Sequence, residues 1–179
     1  MRALLGVSGW IDRVNEQIGR LVSWLILASV VVSTVNAIIR KVFSNSSNAW
    51  LELQWYMFAA VFLLCAGYAL LRNEHIRIDI VSHRLTRTTR NWIDVFGHVV
   101  FLLPLCAVML IESWPYFMES WKIGEQSSNA GGLIRWPVKL LIVAGFAMLG
   151  LQGLSELVKR IAFMRGLIPD PYGEKTGPH

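Results

Sequence analysis

Three residues near the middle of the chain have the types and spacing of a metal site. His75, Asp79 and His83 recur every fourth residue, which on a helix would set two imidazoles and a carboxylate along one face. The stretch that holds them, RNEHIRIDIVSHR from Arg72 to Arg84, argues against that chemistry. Its arginines would repel a bound cation, and three ligands do not close a coordination shell. Ile76, Ile78 and Ile80 alternate with Arg77 and Asp79, a two-residue period that suits an extended segment. A turn of helix with Ile78, Val81 and Leu85 towards lipid is the other arrangement the residues allow. Either way the favoured reading is an arginine-rich connection touching lipid headgroups through His75, Arg77, Asp79 and Arg84.

The elements that must position this stretch are oily. Of 179 residues, 54% are hydrophobic and only 16% charged, and the mean hydropathy is +0.47. Soluble domains carry about a quarter charged residues, so the composition describes a membrane protein. The net charge of +5 is not a nucleic-acid signature, because the basic residues clump at the ends of apolar runs and do not line one face. No nucleic-acid partner is expected. Cys65 and Cys106 lie inside apolar runs without a C-x-x-C pattern, as small packing residues do.

Crossing a hydrocarbon core of about 30 Å takes about 20 apolar residues in a helix. Four stretches fit: about 21–39, 53–71, 95–111 and 138–156. Twelve Lys and Arg residues fall on the side of the termini and of the Arg72–Arg90 connection, against five on the other side, so both termini are expected in the cytoplasm. A cleaved signal peptide ending near Val35-Asn36-Ala37 is the alternative for the first span, but its apolar run and the segment before it are both long for that role. Trp10, Ile11, Val14 and Ile18, interspersed with Asp12, Arg13, Glu16 and Gln17, predict an amphipathic helix lying on the membrane surface ahead of span one. The expected fold is an all-α integral membrane protein of four spans within a single domain, 1–168. A Pro/Gly-rich tail, 169–179, is expected to be disordered in the cytoplasm. Trp114 to Trp136 reads as the longest irregular connection, with Lys122, Glu125 and Arg135 placed to meet a soluble protein or simply to connect.

The spans are as informative for what they lack. His98 is the only histidine inside them, so bis-histidine haem is not supported and no cofactor or metal is expected. Glu52, Asp94, Glu112 and Glu156 fall at span ends, which leaves no mid-membrane ionisable residue for a stand-alone exporter. The chain therefore reads as a non-enzymatic support for another membrane protein, with the membrane anchor of a redox complex as the competing role. Ser29, Ser33 and Asn36 form a polar stripe on span one, a grammar that serves both packing within the bundle, the favoured use, and docking on a partner. Gly145 and Gly153 on span four suggest a second such face.

Glu52-Leu53-Gln54-Trp55 at the start of span two and His75-Ile76-Arg77-Ile78-Asp79 after it carry a resemblance. So do Gly124-Glu125 and Gly132-Leu133-Ile134-Arg135-Trp136-Pro137 before span four. From about Gly19 to Arg160 the chain resembles the small membrane subunit of tripartite ATP-independent periplasmic (TRAP) transporters, the DctQ-like family. That resemblance implies two protein partners, a large membrane subunit and a periplasmic substrate-binding protein. It implies sodium-driven import of organic anions, usually carboxylates, across the bacterial inner membrane. The large subunit would carry solute by an elevator movement and this chain would brace it. Ser29, Ser33, Asn36, Glu52 and Gln54 are then the expected contacts with the large subunit, and Lys122, Glu125 and Arg135 with the binding protein.

Overall fold

The computed structural model describes residues 2–44, 47–73 and 86–169. His75, Arg77, Asp79, His83 and Arg84 lie outside these residues, as do 170–179 of the tail. The order is α1 (Arg2–Phe43), α2 (Asn48–Leu71), α3 (Arg87–Gly97), a π turn (His98–Leu102), α4 (Leu103–Ile123) and α5 (Trp136–Met164). Among the described residues there is no strand, and four helical stretches are long and apolar enough to cross a membrane. The close of α1, the start of α2 and the connection 124–135 share one end of the bundle, here the loop end. The start of α1, the start of α3 and the close of α5 share the other, the terminal end.

The helices do not form a symmetric four-helix bundle. α5 is central: it packs on α1, α2 and α4, and α1 also packs along α2. Small residues make this possible. A methyl group at Gly145 would stand 2.9 Å from the Leu63 carbonyl oxygen of α2, and one at Gly153 would stand 2.8 Å from Leu102 in the π turn. The two glycines therefore serve two different neighbours and not one common face. Close backbone approach replaces the hydrophobic drive that is weak between helices in lipid.

Two stretches depart from the expected spans. α1 runs unbroken for 42 residues, about 63 Å at helical rise, twice what a bilayer core needs. No separate amphipathic helix precedes span one, because nothing ends the helix between them. Gly19, the residue best suited to a break, is instead where Tyr68 of α2 presses in, 2.4 Å from the position a Cβ would take. Of the apolar residues expected to face lipid, Trp10 is exposed but Ile11 is buried. The face turned inward is mixed, with Ser8 and Asn15 buried beside Ile11 and Val22, because α5 offers polar partners there.

The third helical rod also runs on beyond the expected end of its span. α4 runs to Ile123, so the irregular connection begins at Gly124 and not near Trp114. Pro115 removes one backbone donor without stopping the helix, since Ser113, Phe117 and Ser120 on the opposite face stay buried against α5. Pro104, about three turns before it, is accommodated by the π turn. The Leu103 N–H bonds the His98 carbonyl five residues back, and this π register precedes the proline that cannot donate.

Candidate functional site

At the loop end, the chain from Gly124 to Arg135 folds back on itself. Gly124, at φ 59°, closes α4: its N–H reaches the Trp121 carbonyl and the Glu125 N–H reaches that of Ser120. This paired termination needs a left-handed residue, which glycine adopts without a Cβ penalty. The two arms of the loop then pair through Ser127 N–H to the Leu133 carbonyl at 3.0 Å and Arg135 N–H to the Glu125 carbonyl at 2.9 Å.

Glu52, on the second turn of α2 and 1% exposed, organises this loop. Its carboxylate accepts from the Ser127 hydroxyl, from Asn129 Nδ2 at 2.9 Å and from the Leu133 N–H at 2.6 Å. Asn48 Nδ2 donates to the Ala130 carbonyl and Tyr56 Oη to the Ile134 carbonyl, both at 2.9 Å. Lys139 pairs with Glu125 and stands 3.8 Å from the centre of the Tyr116 ring, which ties the loop to α4 and α5. The hydrogen bond from Lys139 holds the Glu125 carboxyl below the usual carboxylate range. Trp121 and Trp136 stack edge-on with centroids 4.4 Å apart.

The terminal end carries a second polar network, between the first half of α1 and the second half of α5. Gln152, with no exposed surface, accepts from Asn15 Nδ2 at 2.9 Å. Its own amide nitrogen donates to Asp12 at 2.8 Å and Glu156 at 2.9 Å. Lys159 bridges the same two carboxylates at 3.0 and 2.6 Å, and Ser155 donates to Asp12 at 2.8 Å. On the other flank of α5, Arg160 reaches Asp94 and Asn91 of α3, each at 2.7 Å. Glu16 joins Arg72 at 2.6 Å and so ties α1 to the end of α2.

These two layers lie seventeen residues apart along α5, from Lys139 to Glu156, about 25 Å at helical rise and close to the depth of a hydrocarbon core. Their groups are engaged with one another across helices, as latches. No three metal-ligating side chains converge among the described residues.

The expected site residues divide accordingly. Ser29 and Asn36 are buried within the chain, and the Ser29 hydroxyl donates to the Ile26 carbonyl at 2.8 Å, so this stripe packs internally. Ser33 and Gln54 are half-buried, and Glu52 is committed to the loop. Of the three loop-end charges, Lys122 is exposed, Glu125 is held by Lys139, and Arg135 reaches the Ser127 hydroxyl at 3.4 Å. The terminal network was missed, although its signal is present. Ser8, Asp12 and Asn15 follow at helical spacing, as do Gln152, Ser155, Glu156 and Lys159.

Comparison with curated proteins and with solved structures gave no match. A family model does match, over residues 29–163: the DctQ component of tripartite ATP-independent periplasmic transporters. That stretch holds the Glu52 latch, the folded loop and all of α2 to α4, and the chain belongs to this family of transporter components.

Proposed function

We propose that this chain is the small permease subunit of a sodium-driven TRAP transporter importing organic anions, and that it braces an elevator-type large subunit without carrying solute itself. The observation that supports the reading is how the polar groups of α5 are disposed. Lys139 is engaged at one end and Glu156, Lys159 and Arg160 at the other, with only Gln152 as a long polar side chain between them. Gln152 is itself bonded to Asn15 and Asp12 of α1 and to Glu156 of its own helix. A carrier needs polar groups in mid-membrane that are free to exchange partners, whereas a brace needs them locked.

The excess of Lys and Arg at the terminal end favours both termini in the cytoplasm. The loop end then faces the periplasm, where the binding protein approaches. A preformed loop, locked by Glu52, offers that partner a rigid surface with Lys122 exposed beside it. Arg77 and Asp79 are proposed to fix the cytoplasmic connection at the headgroups.

Reconstitution tests the reading. Liposomes holding this chain alone should show no uptake of loaded carboxylate, and adding the large subunit and the binding protein should give sodium-dependent uptake. Uptake by the chain alone would overturn the brace.

A further inference from the structure

The third rod, α3 to α4, is the least covered of the four: 6% of its apolar window is buried, against 39% for α5. It packs chiefly on α5 and, among the described residues, leaves its opposite side open. On that open side, at helical spacing, stand Val108, Glu112, Pro115 and Glu119, all exposed.

The register of α4 against α5 sets the depth of Glu112. A methyl group at Gly150 would sit 3.3 Å from Cys106 Cβ, one at Gly153 would meet Leu102, and Lys139 lies over the Tyr116 ring. This antiparallel register sets Glu112 level with Val143 and Ala144, about one helical turn (~6 Å) inside Lys139. Glu112 therefore does not mark the end of the span; it sits inside the layer of locked charges. It makes no hydrogen bond or ion pair among the described residues, and its neighbours along the helix are Ile111 and Ser113. Facing lipid, a carboxylate there would be costly, and such residues ordinarily meet a protein partner.

A second feature at the same place asks for the same chemistry. Pro115 has no N–H, so the Ile111 carbonyl lacks the donor that the helix would supply from that position. A carboxylate and a backbone carbonyl, both acceptors, thus lie within one turn on an otherwise apolar face. A guanidinium, with its planar fork of donors, satisfies both and remains charged at that depth.

We propose that the open face of α4 around Glu112 docks on the large membrane subunit of the transporter, and that this subunit presents an arginine to Glu112 and the Ile111 carbonyl. The proposal rests on the functional reading above. Glu119, two turns further towards the loop end, extends the acidic track to the membrane surface, where Lys122 and Trp114 border a shallow groove.

The test uses the tagged small subunit co-expressed with its large subunit, with two readouts. Glu112→Leu should lower the amount of large subunit retained by at least about tenfold, as loss of one partner of a desolvated ion pair does. The same variant, purified alone in detergent, should melt no lower than wild type, since the side chain holds nothing within its own chain. Glu112→Gln should retain an intermediate amount. Full retention by Glu112→Leu overturns the proposal, and so does a lower melting temperature of the isolated variant. Efficient disulfide-linked pairing of two small subunits through Val108→Cys also overturns it, by assigning the face to a second copy. Wild-type subunit that retains no large subunit would sink the functional reading itself, whereas wild-type retention with an unaffected Glu112→Leu sinks this proposal alone.

Discussion

Glu52 and Glu112 are the same side chain near the same end of the bundle, and their surroundings are opposite. Glu52 is enclosed, with donors from Ser127, Asn129 and Leu133 converging on both carboxylate oxygens. Glu112 is exposed, deeper along its helix, and meets no donor within the described residues. A buried carboxylate with its donors supplied belongs to the fold, and removing it leaves those donors stranded. An exposed carboxylate in a membrane-spanning helix is unfinished, and its missing donors must come from another molecule. The difference teaches that in a membrane subunit polarity alone does not mark the interface. What marks it is whether the polar group is already satisfied.

The comparison breaks first at Glu52. Replacing it with leucine should release the loop, with amide exchange at Leu133 accelerating on the order of 10- to 100-fold as bonds to a charged acceptor are lost. Unchanged protection at Leu133 would remove the distinction between the two glutamates. Next in size are changes to the internal contacts that let α5 sit centrally. Gly145→Ala drives a methyl group against the Leu63 backbone and should cost about 1–3 kcal/mol in thermal or denaturant stability of the purified subunit. Gln152→Leu leaves the Asn15 amide with only the Ile11 carbonyl and removes the donor to Asp12, and should also cost about 1–3 kcal/mol, read in the same way.

A smaller effect follows pH. The Glu125 carboxyl is held below its ordinary value of 4.5 by Lys139, so its ion pair stabilises the loop fully above 4.5. That contribution is lost as pH falls through the depressed folded value, because protonation then precedes release of the loop. Protection of the Ser127 and Arg135 amides, relative to the intrinsic exchange rate at each pH, should therefore fall on acidification below 4.5, and Glu125→Gln should abolish the dependence. The smallest effect belongs to Lys122, which is exposed: Lys122→Glu should change stability by less than about 0.5 kcal/mol. A transport defect with stability unchanged would favour the proposed contact of Lys122 with the binding protein.

The four helices were legible because apolar length is a direct consequence of bilayer thickness, and the central core of each span requires nothing beyond local composition. The ends were not. α1 extends back to Arg2 because polar residues there find partners on α5, and α4 runs on to Ile123 with Tyr116 and Trp121 meeting Lys139 and Trp136 of α5, which local composition does not reveal. Glu52 drew attention as a family motif, but its role as a loop latch depends on residues about eighty positions away. The Ser29 and Asn36 stripe suits both inside and outside by residue type, and the two side chains are buried where α1 packs within the chain. Glu112 was read as a span end because the apolar run stops there, yet the register against α5 carries it inward. The Arg72–Arg84 element that first suggested chemistry falls largely outside the described residues.

The central claim is that this chain meets its large partner through the open side of α4. A photo-crosslinking residue placed at Val108 of α4, and separately at Val31 on the exposed side of α1, tests it most directly in the assembled transporter. The account predicts an adduct with the large subunit from position 108 in much higher yield than from position 31. Strong coupling from 31 with none from 108 would contradict it.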